Sequence, residues 1–429
     1  MVASATPFRS SSQARDLWLG PFLCAFAGWA LDGFDFFLVV FSLTAIGHSF
    51  SKDDKTIALA LTATLALRPV GAFIFGLIAD RYGRRIPLTI NLLAFAVIEI
   101  FTGLAHTFIQ FIVIRAVFGI VMGGQWGVGA SLAMEKVPIR LRGVLSGLLQ
   151  EGYAVGYLFA AASYFLLYDR FSWRPLFFLG PLPALAAAVF VAFNVSESDV
   201  WKRTHQKNWR ALWRTLTQNW KLLAYVTLFM MTMHMTSHGT QDLYPTFLER
   251  QWGIPAKERA FLSALSMVGG IAGALSVSTL SDKFGRRRSI VLALVGGLCV
   301  IPMWAFSHSL PLLIAGAVLI QFCVQGAWGV LPAHLSELSP DSIRGSLPGL
   351  GNQCGVLLAS VVVYLEAAFV RNGRYSDALA ATAAIVFRSG DPDDHAGQRA
   401  AWSSVWRSSM MYLNPHLLTR SNLADRPVI

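Results

Sequence analysis

His234, Ser237, His238, Gln241 and Asp242 fall at spacings of three and four within one otherwise apolar segment. On a helix they form a single stripe of two imidazoles, a carboxylate, an amide and a hydroxyl. Such a row has no place against lipid and requires an aqueous cavity. Two chemistries suit it. One is binding of a small organic anion. The other is zinc coordination, for which two histidines and an aspartate at four-residue spacing have the right ligand types. The neighbouring amide and hydroxyl groups favour the organic anion, so no metal and no cofactor is expected.

A second group of ionisable residues lies in the first four apolar segments. Asp32 and Asp35, in LDGFDFF, are three apart and share one helical face. Counted from the ends of their segments, Asp35 and Arg115 lie at depths that agree within about 5 Å, at a rise of about 1.5 Å per residue. That agreement predicts an Asp35–Arg115 ion pair. The pair is either a structural bridge or a proton site, because a buried carboxylate whose arginine partner moves away takes up a proton. Arg68, in LALRPVGAF, sits near mid-bilayer and needs an anion there. Glu99 or Asp32 can supply one permanently, or a substrate carboxylate can, held through a bidentate contact. The substrate is the favoured reading. Glu151 and Glu366 are less decisive.

The elements that position these groups are membrane spans. Of 429 residues, 55% are hydrophobic and 14% charged, against roughly 25% charged in soluble domains. A soluble enzyme, a disordered chain and a disulfide scaffold are thereby excluded. Apolar runs at 17–46, 57–79, 86–105, 108–134, 144–167, 175–195, 222–248, 260–280, 289–306, 311–335 and 346–370 predict eleven transmembrane helices. The first is too long for a signal-peptide core and is read as retained. A twelfth begins near Ala378 but runs only to Phe387, about 15 Å or half a bilayer, before the polar sequence from Arg388 onward. Cys24, Cys299, Cys323 and Cys354 lie in apolar runs without CxxC spacing and are expected to be small buried hydrophobes.

Loops on the N-terminal side hold about 19 Lys and Arg and the opposite loops about 9, which predicts a cytoplasmic N-terminus. The long central loop mixes six basic residues with Trp201, Trp209, Trp213 and Trp220. Between two hydrophobic halves this pattern reads as an amphipathic helix on the anionic inner leaflet, with no nucleic-acid partner.

An internal repeat decides the architecture. Asp80-Arg81-Tyr82-Gly83-Arg84-Arg85 returns as Asp282-Lys283-Phe284-Gly285-Arg286-Arg287, shifted by 202 residues. Glu135-x-x-Pro138-x-x-x-Arg142-Gly143 and Trp126-Gly127 return at Glu337, Pro340, Arg344-Gly345 and Trp328-Gly329 with the same shift. Two parallel bundles follow, arranged about an axis along the membrane normal. A carboxylate at a helix end followed by glycine and two arginines can latch onto the neighbouring bundle. Asp80, Arg84 and Arg85 are the expected latch of the first half, and Asp282, Arg286 and Arg287 that of the second. Glu135 with Arg142, and Glu337 with Arg344, are expected as equivalent latches two helices further on. The bland alternative is that the arginines only set topology. The spacings Gly152–Gly156 and Gly269–Gly273 predict close helix packing.

These motifs carry a family resemblance. GLIADRYGRR and Arg115-x-x-x-Gly119-x-x-x-Gly123 resemble the loop and fourth-helix motifs of the major facilitator superfamily. The resemblance implies an all-α membrane protein of two parallel six-helix bundles around a central cavity. The stretch from His234 to Thr246 resembles the seventh-helix signature of the sialate and lactate proton symporters, Asn-x-x-Ser/Thr-His-x-Ser/Thr-Gln-Asp-x-x-x-Thr, with His234 in place of the leading Asn. It implies substrate or coupling roles for Ser237, His238, Gln241 and Asp242, with Arg68 and Gln353 matching the group's second-helix arginine and eleventh-helix glutamine. LDGFDFF also resembles the first helix of the aromatic acid transporters, which ranks second.

The expected organisation is a cytoplasmic segment over 1–16, a six-helix bundle over 17–195, an amphipathic linker over 196–221, a second bundle over 222–387 with a truncated twelfth helix, and an aberrant polar tail over 388–429. The expected protein is no enzyme. It is a monomeric inner-membrane symporter of protons and a small organic monocarboxylate such as lactate, pyruvate or sialic acid, working by alternating access. Arg68, His234, Ser237, His238, Gln241, Asn352 and Gln353 are its expected substrate-binding residues, with Gln125 and Gln150 as further readers of substrate hydroxyls. Asp32, Asp35, Arg115 and Asp242 are the expected proton-coupling residues. No GxxxxGKS phosphate loop is present, so an ion gradient is the expected driving force. The non-transport alternatives are a transporter-like sensor and, because of the tail, an inactive truncated transporter.

Overall fold

A computed structural model describes residues 11–52, 54–204, 208–241 and 244–360, together with 376, 377, 379, 380 and 383. Asp242, Glu366, the twelfth span as a unit and the polar tail lie outside the described residues.

The first half comprises α1 (Ser11–Phe50), α2 (Asp54–Tyr82), α3 (Arg85–Leu104), α4 (Phe108–Lys136), α5 (Arg142–Gln150), α6 (Gly152–Phe171) and α7 (Pro181–Asn194). The linker carries α8 (Asp199–Thr204) and α9 (Trp209–Gln218). The second half comprises α10 (Trp220–Gln241), α11 (Tyr244–Arg250), α12 (Ala256–Phe284), α13 (Arg286–Ala305), α14 (Leu310–Leu338) and α15 (Leu347–Ala359). The repeat seen in the residues holds in the elements: α12 and α14 begin and end 202 residues after α2 and α4.

Eight helices among the described residues are long and apolar enough to cross a bilayer. Eleven spans were expected. The fifth is divided at Glu151, the seventh carries the polar stripe, and the eleventh is described only as far as Ser360. The first helix begins at Ser11, six residues before the apolar run.

Each half is held by close backbone approach. Gly71 of α2 and Gly119 and Gly123 of α4 have no room for a Cβ, because the partner helix's carbonyl groups occupy that space. The expected small-residue packing at Gly152, Gly156, Gly269 and Gly273 is present, but within each half: the first two face α1 and the other two face α14. Of the four cysteines only Cys24 is buried. Cys299 is exposed, and Cys323 and Cys354 are half-buried.

Gly83 and Gly285 end α2 and α12 at φ of 99° and 91°, the left-handed region that favours glycine. Each turn swings the following arginines back beside the preceding aspartate. The linker does not hang free. The Trp201 indole donates to the Asp80 carbonyl at 2.8 Å, and the Arg81 guanidinium stacks 4.4 Å over the Trp209 ring. In α9, Leu212 and Leu216 are buried while Trp209 and Trp213 are exposed, the amphipathic arrangement expected.

Candidate functional site

At mid-depth of the first half, Arg115 on α4 grips Asp35 on α1 with both guanidinium prongs, at 2.8 and 2.5 Å. Neither side chain is exposed, and the Phe118 ring lies 4.2 Å from the guanidinium carbon. The ion pair predicted from depth is present. Ion pairing by Arg115 does not extend to Asp32, although Asp32 stands within electrostatic reach of Arg68, Asp35 and Arg115. The Asp32 Oδ2 atom is buried without a hydrogen-bond donor.

Arg68 is 5% exposed. Its Nη2 points at the Met122 sulfur, its Nε has no acceptor, and the Phe36 ring lies 5.7 Å away. No carboxylate among the described residues is within ion-pair distance of it. Glu99, considered as its permanent counter-ion, is turned instead toward Asp35 and Arg115. A buried guanidinium without a carboxylate is held at a cost, which a bound anion would offset.

From the second half, His234 reaches electrostatic range of Arg68, so the two halves do meet at this level. The His234 Nε2 shares a hydrogen with the Asn352 Oδ1 at 3.0 Å, and its ring lies 4.7 Å from Trp328 and 6.1 Å from His238. His234, Ser237 and His238 are half-buried. Gln353 is buried with its Oε1 unpartnered, and so is the Gln125 Nε2. Gln150 is engaged by two indoles, from Trp29 to its carbonyl and from Trp126 to its side chain, each at 3.3 Å.

Gln241 departs from expectation. Its amide donates to the Gln321 Oε1 at 2.9 Å inside the second bundle. There it lines a separate small chamber of about 70 Å³ with Thr240, Tyr244, Ser266, Trp304 and Gln321. At roughly 100° per residue it stands about 60° round the helix from His238, on the flank of the stripe nearer α14.

Sequence reasoning missed Trp328. Its indole N–H is buried without an acceptor beside His234. The signal was present in the repeat: Trp126 donates to Gln150, whereas Asn352, 202 residues after Gln150, is taken by His234 and leaves Trp328 without that partner.

At the end of the molecule bearing the basic loops the halves are clasped. The Asp80 carboxylate accepts from the backbone N–H of Gly345 at 2.7 Å and of Ser346 at 3.0 Å, just ahead of α15. Asp282 accepts from Gly143 at 3.1 Å, at the start of α5. Each carboxylate thus sits at the positive end of a helix in the other half. The glutamate latches are crossed relative to expectation: Arg142 pairs with Glu337 at 3.3 Å, and Arg344 reaches Glu135 at 3.7 Å while also holding Asp341. Arg84 pairs with Asp80 and Glu135 at 3.3 Å each, and Arg286 with Asp282 at 2.7 Å and Glu337 at 3.1 Å. Arg85 is held by its own half and the linker. The Arg85 side chain donates to the Ala192 carbonyl and its backbone N–H to Glu197, while Arg287 lies within reach of Tyr225 and His334.

The profile of the Major Facilitator Superfamily matches residues 22–363 and again 243–413. The chain belongs to the major facilitator superfamily. Among its relatives is a carboxylic acid transporter protein homolog of Saccharomyces cerevisiae, 29% identical over 371 residues, covering 80% of this chain and 60% of the yeast protein. The chain therefore spans about three-fifths of that relative's length. A cis,cis-muconate transport protein of Acinetobacter baylyi is 27% identical, covering 80% of this chain and 86% of its own. A sialic acid transporter of Escherichia coli is 24% identical, covering 76% and 81%. These relatives agree with the sialate and lactate resemblance of the seventh helix. As a major facilitator protein the chain is a multi-pass membrane transporter, and the two-bundle architecture expected from the repeat is the family's own.

Proposed function

We propose that this transporter carries a small organic monocarboxylate together with protons across the cytoplasmic membrane, by alternating access between its two halves. One observation carries the reading: Arg68 is buried at the junction of the halves with no carboxylate within ion-pair distance among the described residues, facing the His234 side of the second bundle. A substrate carboxylate supplies the missing anion, and the relatives named for carboxylic, muconic and sialic acids are in keeping with that class. His234, Ser237 and His238 complete the binding face, with Asn352, Gln353, Gln125 and Trp328 available to substrate hydroxyl or carbonyl groups. Asp35 with Arg115, and Asp32, hold the coupling proton. The Asp80 and Asp282 clasps keep the basic end shut, and that end is cytoplasmic by the loop charges.

Muconate is a dicarboxylate, so the Acinetobacter relative favours a second reading in which the acid carries two carboxylates and an imidazolium of the His234–His238 pair meets the second one. Both readings are tested by reconstituting the chain in liposomes and following labelled lactate, sialic acid and cis,cis-muconate under an imposed pH gradient. Gradient-driven uptake of one of them, abolished in Arg68→Ala, is the expected result. Equal accumulation of the acids with and without the gradient would reject proton coupling, and unaltered uptake in Arg68→Ala would reject its role.

A further inference from the structure

The mid-depth charges of the first half do not balance. Asp32, Asp35 and Glu99 are three buried carboxyls, and only Arg68 and Arg115 stand against them. Glu99 is the odd group. It lies on α3, wholly buried, and the charged groups that reach it are Asp35 and Arg115. It is within hydrogen-bonding reach of the Asp35 carboxyl and within electrostatic reach of Arg115, yet Arg115 spends both prongs on Asp35. Neither Glu99 oxygen meets a donor among the described residues. From α1 it is faced by Asp35 and from α4 by Arg115. Gly180 at the head of α7 and the Phe34 and Phe95 rings lie close by.

Two carboxylates side by side in a water-excluded space, with one arginine between them, carry a net negative charge that the N-terminal end of α7 beside Glu99 offsets only in part, and no second cation reaches Glu99 among the described residues. One proton shared by the two makes the triad neutral and supplies the missing donor. We propose that Glu99 is a proton-binding site that exchanges its proton with Asp35, a reservoir beside the ion pair. When Arg115 releases Asp35, the proton passes from the Glu99 carboxyl to the Asp35 carboxylate, which leaves Glu99 ionised and free to take the arginine. The O–H bond at Glu99 breaks as that at Asp35 forms, and the charge of the triad is unchanged. The 202-residue shift places Ser237, Ala317 and Ile301 at the corresponding positions of the second half, so the device belongs to the first bundle alone.

The role in transport rests on the proton-coupling reading above, so the test has one arm that does not. Infrared spectra of the purified full chain at neutral pH should show the carbonyl stretch of a protonated carboxylic acid, lost in Glu99→Gln and retained in Asp32→Asn. A wild-type spectrum without that band, or a band that survives in Glu99→Gln and disappears in Asp32→Asn, overturns the proposal whatever the protein carries. In liposomes, gradient-driven uptake of labelled lactate, or of cis,cis-muconate if lactate is not carried, should fall by about tenfold in Glu99→Gln and flatten with pH, as expected of tightly coupled acids. Glu99→Asp, which keeps the carboxyl, should restore most of it. Uptake and pH profile unchanged in Glu99→Gln would overturn the exchange with Asp35. Wild-type uptake indifferent to the gradient would instead overturn symport and leave the infrared arm to decide the site. If Glu99→Gln does not fold, the Glu99→Asp spectrum decides, since its band must shift from the wild-type position.

Discussion

The Asp80 Oδ1 accepts the backbone N–H of Gly345 at 2.7 Å, across a separation of 265 residues and across the boundary between the two halves. Its pseudo-symmetric counterpart, Asp282 to Gly143, is longer at 3.1 Å and less well sealed: the Asp282 side chain is 23% exposed where Asp80 is not exposed at all. A charge at the end of a helix is worth more where water is excluded. The two clasps are therefore unequal in strength although equal in design.

Replacing Asp80 by Asn removes a charge that serves Arg84, Gly345 and Ser346 together. The expected cost to the clasped form is about 2 kcal/mol, and Asp282→Asn should cost less than half of that. Spin-label distances across the basic end of α2 and α15 measure the opening. Equal opening in the two variants would contradict the ranking.

Breaking the Asp35–Arg115 pair from one side strands a buried charge. Arg115→Met and Asp35→Asn should each lower stability by about 3–5 kcal/mol, while Asp35→Asn with Arg115→Met together should cost less than the sum. Thermal unfolding of the three variants in detergent tests the coupling, and additive losses would show that the pair is not energetically joined. Gradient-driven uptake in the double variant then separates the two meanings of the pair. A structural bridge predicts coupling that survives in whatever folds, and a proton site predicts coupling that is lost.

Gly123 has the Arg68 carbonyl where its Cβ would lie. Gly123→Ala must push α2 away from α4 and carry Arg68 with it, at a cost of about 1–3 kcal/mol. The displaced guanidinium should also weaken acid binding, so KM for the transported acid should rise more than kcat falls. A variant with normal KM would mean that Arg68 does not need this registry.

Trp328 and Trp126 occupy equivalent places but differ in hydrogen bonding. Trp126→Phe loses a bond to Gln150 and should cost about 1 kcal/mol, whereas Trp328→Phe removes an orphaned donor and should leave stability unchanged or raised. If the Trp328 indole serves the substrate, Trp328→Phe should still impair uptake of a hydroxylated acid. Melting temperatures and uptake measured on the same preparations check both halves of this expectation.

Much of the architecture was legible because a membrane makes composition informative along the chain. A charge in hydrocarbon is costly enough that Asp35, Arg68 and Arg115 stand out individually, and depth counting alone paired Asp35 with Arg115. The clasps were legible as a duplicated pattern, but not their partners: Glu135 was expected to take Arg142 and takes Arg84 and Arg344 instead. Trp328 was visible only as half of a repeat until its missing acceptor set it apart from Trp126.

From the sequence by itself came the order of the described spans, the doubling of the bundle and the identity of the ionisable groups within them, since hydropathy and spacing are properties of a line. Beyond the Asp35–Arg115 pair, only the tertiary structure decided which of those groups meet. It turned Gln241 toward Gln321, left Arg68 with no carboxylate at ion-pair distance among the described residues and set Glu99 beside Asp35. The physical reason is rotation about the helix axis: each residue turns roughly 100° from the last, so a side chain's partners depend on packing at glycine contacts such as Gly123 against Arg68, which no one-dimensional pattern contains.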